Sequence, residues 1–287
     1  SKGFGNSTNY GLEEYTNDVV YAIQEVCNDE KVPHPDIVTE SGRAIVAHHS
    51  VLVIELFEAI EKGRLSDSAK LDRTKTHKLI LELQGIREDL AKINALEAYH
   101  DALERRDQAR SLFAHGFLSL EDKALAETLF WEICRDLTAM KKPDEEWPEE
   151  LEALGTSLGD QYVGNFSVFQ SLLDHWAIEH LFPVMPIHRL NEAPTRAATL
   201  VDITCDSDGK IAKFIGADAV QDTLPLHELK PGEPYYVGIF LVGAYQDIMG
   251  DLHNLFGRAN EVHCFLDPSE PDGYYIEDEI PGSTVEQ

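Results

Sequence analysis

His34-Pro-Asp-Ile-Val-Thr-Glu-Ser-Gly-Arg-Ala-Ile-Val-Ala-His-His-Ser, residues 34–50, is the passage from which the architecture is best read. The turn Val32-Pro-His-Pro stops whatever precedes it, because proline pushes its neighbour out of the helical region. Asp36-Ile-Val-Thr-Glu then predicts a short buried strand running into Ser41-Gly42, and Arg43-Ala-Ile-Val-Ala begins a helix. Upstream, Leu12, Tyr15, Val19, Ile23 and Val26 recur at helical spacing and predict an amphipathic helix over 11–28. Helix, strand, glycine and helix in that order are the grammar of an α/β barrel or a doubly wound sheet. Ligand sites in such folds lie at the carboxyl end of the strand.

Beyond residue 60 the pattern changes. Leu79, Leu83, Ile86, Leu90 and Ile93 alternate steps of four and three, a bundle seam. Ser119 followed by Asp122 starts a helix that carries Leu125, Leu129, Ile133 and Leu137. Residues 61–145 are therefore expected to form an inserted helical bundle with a structural or assembly role. Residues 146–196 are rich in aromatics; Phe166, Phe169, Trp176 and Phe182 read better as a core cluster than as a cofactor wall. From 197 onward β character dominates, with strands expected at 198–204, 235–242 and 261–266 and a helix at 245–256. The acidic tail 276–283 is expected to be loose. The fold class is thus α/β plus all-β, in three parts. Residues 1–60 are expected to form the α/β part, a barrel or a doubly wound sheet, and the link onward, 61–145 the bundle, and 146–287 a β-domain.

Composition narrows the functional classes. With 52 acidic and 24 basic residues the net charge is −28, so no basic surface is visible for nucleic acid. A negative field draws cationic small molecules, but acids spread along the whole chain favour the plainer reading of a solvated, soluble surface. No apolar run approaches the length needed to cross a bilayer, and the first residues lack a secretory signal. Cys27, Cys134, Cys205 and Cys264 are far apart without zinc spacing, which suggests reduced thiols and a cytoplasmic protein. Asn6 and Asn165 match the glycosylation pattern by chance on this reading.

Three short motifs carry chemistry. In Thr39-Glu-Ser-Gly-Arg43, Gly42 lets the backbone approach an anion, helix-start N–H groups point at it, and Arg43 adds a bidentate grip. Glu40 is placed to meet a cationic ring nitrogen; the plainer alternative is an ion pair with Arg43. In Thr204-Cys-Asp-Ser-Asp-Gly209, a thiol flanked by Asp206 and Asp208 can donate a proton or bind a cationic substrate, or be a plain β-turn. The glutamate of a calcium loop is missing there. In Gly243-Ala-Tyr245, the phenol of Tyr245 at a helix start can donate to a phosphate or simply pack. Adjacent His48 and His49 point in different directions and do not make a zinc site.

In order, Glu-Ser-Gly-Arg, Cys-Asp-Ser-Asp and Gly-Ala-Tyr resemble the pyridoxal-phosphate-dependent decarboxylases built on an alanine-racemase-like barrel. The longer strings 34–50, 201–211 and 238–257, with the helical insertion, are similar to the biosynthetic arginine decarboxylases in particular, from about Asn9 to Leu266. The resemblance implies arginine converted to agmatine for putrescine and spermidine synthesis, with pyridoxal phosphate and magnesium, in a homodimer or higher oligomer. It implies that Glu40 meets the pyridine nitrogen and that Gly42, Arg43 and Tyr245 hold the phosphate. Cys205 and Asp206 would come from the partner subunit, Cys205 as proton donor and Asp206, with Asp208, toward the basic end of the substrate. The family's Schiff-base lysine and glycine-rich loop lie upstream of the matched strings, so the chain is expected to be an internal part of a longer enzyme, inactive alone. A decarboxylase for diaminopimelate or ornithine, or an inactive binding relative, are the alternatives; the former generally lack the insertion.

Overall fold

The computed structural model describes residues 11–61, 76–142, 146–217, 219–254 and 257–284. The first helix, α1 (Leu12–Glu30), matches the expected periodicity. It ends at Lys31, whose φ of 54° lies in the left-handed region and turns its amide back onto the carbonyls of Cys27 and Asn28. The short buried strand expected over 36–40 is absent. Residues 32–41 are exposed and irregular, with Val38 90% accessible. Among the described residues no strand hydrogen-bonds to them, and a ladder cannot form without a partner. The helix expected at Arg43 is present but short: α2 (Arg43–Val46), followed by a 3-10 turn at Ala47–His49.

The next ten residues, β1 (Val51–Ile60), occupy the interior of the principal sheet. Four helices follow: α3 (Lys78–Glu88), α4 (Ala95–Ala114), α5 (Leu120–Met140) and α6 (Glu149–Ser157). Local chemistry sets their starts. The Asn94 side chain accepts from the amides of Leu96 and Glu97, and Ser119 Oγ accepts from Asp122 at 3.0 Å, as its spacing predicts. Ile80, Leu83, Ala98, Ala102, Ala126 and Ile133 are completely buried between the helices. The α4 alanines let its backbone approach α5 closely. Cys134 sits in the same core, and burial pushes its thiol up to about 12.

Among the described residues, thirteen shorter elements make up the remainder. The principal sheet takes β2 (Asp160–Gly164), then α7 (Val168–Ser171) and α8 (Leu173–Ile178) lead to β3 (Val184–Pro186) and β4 (Arg196–Val201). Next come β5 (Lys210–Ile211), β6 (Phe214–Ile215), β7 (Val220–Gln221), β8 (Leu224–Leu226) and β9 (Tyr236–Phe240). The last are α9 (Gln246–Met249), β10 (Glu261–Leu266) and β11 (Tyr274–Ile280). The seven-stranded sheet runs β3-β9-β1-β2-β4-β5, with β8 also on β4. Its core holds Ile54, Leu56, Tyr162, Leu200, Leu226, Val237 and Ile239. Phe166, Phe169 and Phe182 are buried as a core cluster would be, whereas Trp176 remains half exposed. Ile60 pairs with Gln161, so the bundle leaves and rejoins the sheet between two strands that are already neighbours. Such an insertion closes its own ends and leaves the sheet register untouched.

Two further expectations are corrected. The helix expected over 245–256 is only α9, because Gly250 leaves it with extended backbone pressed onto the Gln170 carbonyl, where no Cβ would fit. Residues 255 and 256 lie outside the described set, as do residues 1–10 with Asn6. The tail is not loose: β11 pairs antiparallel with β10 from Leu266↔Tyr274 to Glu261↔Ile280. Phe265 stacks on Tyr275 at 5.5 Å, and His263 bridges Glu261 and Asp278, so cross-strand contacts offset the acidity. All four cysteines are free. Among the described residues no helix is long and apolar enough to cross a membrane.

Leu83→Ala removes a fully buried side chain from the bundle seam and is expected to cost about 3 kcal/mol. Urea unfolding followed by circular dichroism at the helical band checks this value.

Candidate functional site

The strand β9 ends where the backbone must turn sharply toward α2. Leu241 has φ 64° and Tyr245 φ 72°, both left-handed. Between them the Gly243 amide donates to the Ala47 carbonyl at 2.9 Å, and the Val46 carbonyl occupies the place a Gly243 side chain would need. This close approach brings the phenol of Tyr245 directly over Gly42, again with no space for a Cβ. Arg43 lies with its guanidinium 4.9 Å from the centroid of the Tyr245 ring. Gly42, Arg43 and Tyr245, expected from sequence to share a role, therefore meet in one corner.

Arg43 is held from the other side by a residue with no local signature. Its Nη2 donates to Asp174 Oδ2 at 2.6 Å across 131 residues of sequence. Asp174 and Gln246 are buried and mutually bonded: Gln246 Nε2 donates to Asp174 Oδ2 at 2.7 Å, and the Asp174 amide donates to Gln246 Oε1 at 3.0 Å. Gln246 Nε2 also reaches the Ala244 carbonyl at 2.9 Å, so one amide ties α8, α9 and Arg43 together. The partner of Arg43 is thus Asp174 rather than Glu40. The Arg43 side chain keeps 41% exposure, so an anion can still reach it. Glu40 is exposed on the irregular stretch and makes no side-chain hydrogen bond or ion pair among the described residues. His180 borders the corner; burial first, and the Arg43 charge second, hold its imidazole below the usual histidine range.

A second cluster surrounds Cys205. Beyond β4, buried Asp202 organises the turn: Oδ1 accepts from the Thr204 amide and hydroxyl at 2.9 and 2.7 Å, and Oδ2 from the Val168 amide at 2.9 Å. Gly209 closes it by donating to the Asp206 carbonyl at 3.1 Å, and the Asp202 carboxylate excludes any Cβ there. Cys205, Asp206 and Asp208 are left exposed on this turn. The imidazole of His253 meets Asp206 Oδ2 at 2.7 Å, and Asn254 Nδ2 donates to Cys205 Sγ at 3.1 Å. The helices α7 and α8 stand behind both clusters. Phe169 touches the His253 ring at 4.4 Å and Trp176 at 5.3 Å, while Asp174 on α8 reaches Arg43.

Residues 73–155 match the arginine decarboxylase helical bundle domain, which takes in α3 to most of α6. Over 279 residues the chain is 47% identical to the biosynthetic arginine decarboxylase of Bacteroides thetaiotaomicron, covering 97% of this chain. It is 45% identical to that of Phocaeicola vulgatus over 280 residues, 98% of this chain and 44% of the relative. The crystal structure of the biosynthetic arginine decarboxylase from Campylobacter jejuni superposes with a TM-score of 0.76 at 35% identity, over 97% of this chain and 44% of that one. The chain belongs to the biosynthetic arginine decarboxylase family. It spans 44% of the length of the Bacteroides relative. The fold class expected from sequence, the end of an α/β barrel with an inserted helical bundle and a C-terminal β-domain, is that of the arginine decarboxylase structure it matches.

Asp174→Ala strips Gln246 of a buried partner and releases Arg43, and about 2 kcal/mol of stability should be lost, as read by denaturant titration. His180 gives a pH signature. Because its folded imidazole resists protonation, the unfolded chain binds that proton more readily. Stability is then complete above the usual histidine range and falls as pH drops through about 6.5. His180→Gln is expected to flatten that fall in a series of melting curves between neutral and mildly acidic pH.

Proposed function

We propose that this chain serves the decarboxylation of L-arginine to agmatine with pyridoxal phosphate, in the synthesis of putrescine and spermidine. The carrying observation is the corner where the Tyr245 phenol lies over Gly42 beside a half-exposed Arg43. A phosphate needs converging donors and a cation that is not fully neutralised. The Tyr245 hydroxyl, the amides opening α2, and the Arg43 nitrogens beyond the one engaged by Asp174 supply them. The donor set therefore fits a phosphate-bearing cofactor. When bound, that cofactor supplies a protonated pyridine as an electron sink.

The protein's own groups do the rest. Glu40, by its exposure and its place two residues before Gly42, is assigned to the pyridine nitrogen, where its negative charge would keep the ring protonated. Arg43 and Tyr245 fix the cofactor's phosphate end. The Cys205 Sγ proton is delivered to the α-carbon once carbon dioxide has left, and Asp206 with Asp208 pairs with the guanidinium of the substrate. In a homodimer or higher oligomer, the Cys205 turn would serve the corner of a neighbouring subunit. Magnesium and a cytoplasmic setting complete this reading; free cysteines suit the latter. The insertion matched by the arginine decarboxylase bundle favours arginine over diaminopimelate or ornithine as substrate.

Two variants of the enzyme that carries this chain test the assignment through carbon dioxide release from arginine. Glu40→Ala is expected to lower kcat by about two orders of magnitude while cofactor affinity changes far less. Near-normal turnover would reject the role. Cys205→Ala is expected to slow agmatine formation and to yield side products from misplaced protonation. Agmatine alone at the parent rate would leave Cys205 a turn residue.

A further inference from the structure

The segment after α9 carries two consecutive side chains, His253 and Asn254, that reach two consecutive residues of the Cys205 turn from 47 and 49 positions away. Its course is tightly constrained. Gly250 is pressed against the Gln170 carbonyl of α7, and the His253 ring lies 4.4 Å from that of Phe169 on the same helix. Asn254 then adopts φ 54°, a left-handed conformation that asparagine tolerates better than most residues. From this route His253 Nε2 meets Asp206 Oδ2 at 2.7 Å and Asn254 Nδ2 donates to Cys205 Sγ at 3.1 Å. The same segment begins at Tyr245, so one stretch of ten residues links the phosphate corner to the thiol turn.

We propose that His253 and Asn254 are positioning residues for the Asp206–Cys205 pair, and this rests on the reading of Cys205 as proton donor. The division of labour follows from the donors. The Asn254 amide binds a lone pair of Sγ, which orients the sulfur and leaves its own S–H free to give up a proton. The imidazole of His253 fixes one oxygen of Asp206 and leaves the other for a cationic substrate. Wedged against Phe169, the ring cannot swing away without losing that contact.

The test uses this chain and needs no turnover. Iodoacetamide labels thiolates, and an N–H on sulfur favours the thiolate. Asn254→Asp keeps size and left-handed tolerance but replaces the donor with a carboxylate. Labelling of the Cys205 peptide near neutral pH should slow about tenfold, with the alkaline rate and the labelling of exposed Cys264 unchanged. A Cys205 rate equal to that of the parent overturns the assignment of Asn254. For His253, amide exchange across residues 206–209 should quicken about tenfold in His253→Ala and return toward the parent rate in His253→Gln, which restores an N–H donor. Parent-like exchange in His253→Ala overturns that half. Because neither readout involves arginine, failure of the anchoring and failure of the decarboxylase reading separate cleanly.

Discussion

The ion pair between Arg43 and Asp174, locked from behind by Gln246, is the contact on which the functional face depends. Arg43 comes from a four-residue helix that follows ten residues of exposed, irregular chain, too short to hold itself by helical hydrogen bonding. Its direction has to be imposed by tertiary contacts. Asp174 imposes it from α8, the Tyr245 ring from the loop after β9, and Gly243 by docking on the carbonyls of residues 46 and 47. Burial makes the constraint firm, because Gln246 and Asp174 lose their hydrogen bonds in a place where water does not replace them. Removing either side chain would take a buried hydrogen bond from the other. On the proposed reading of Arg43 as a phosphate grip, such preorganisation lowers the cost of binding.

The sheet supplies the rigidity behind this corner. The strand β1 pairs with β9 on one side and β2 on the other, so the segments bearing Arg43 and Tyr245 enter and leave the same ladder. The bundle hangs between β1 and β2 and is packed around its own apolar seam. Its variation or motion therefore need not disturb the register that sets the site. The thiol turn is built independently, around the buried carboxylate of Asp202, and then tied to the corner through α7 and the segment 250–254.

Local physics made much of this legible beforehand. Periodic apolar residues and a Ser–Asp start are self-contained signals, and they placed α1 and α5 well. That Gly42, Arg43 and Tyr245 share a role is implied by the family resemblance that their two motifs, Glu-Ser-Gly-Arg and Gly-Ala-Tyr, carry. What escaped was decided by distant partners. Asp36 to Glu40 has the composition of a strand, yet nothing among the described residues pairs with it. The tail looked too acidic to order, yet β10 supplies a partner and its His263 meets Asp278 across the strands. The helix after Tyr245 stopped early because of one glycine against one carbonyl. Asp174, His253 and Asn254 carry no motif of their own; only the long-range contacts to Arg43, Asp206 and Cys205 give them meaning.

The most direct test of the account is a crystal structure determined in the presence of pyridoxal phosphate. The phosphate should lie between the Tyr245 hydroxyl, the Arg43 guanidinium and the first amides of α2, with the Arg43–Asp174 contact intact. A phosphate bound elsewhere, with Tyr245 and Arg43 contacting only protein, would contradict the central claim that this corner is a phosphate grip held in place by Asp174 and Gln246.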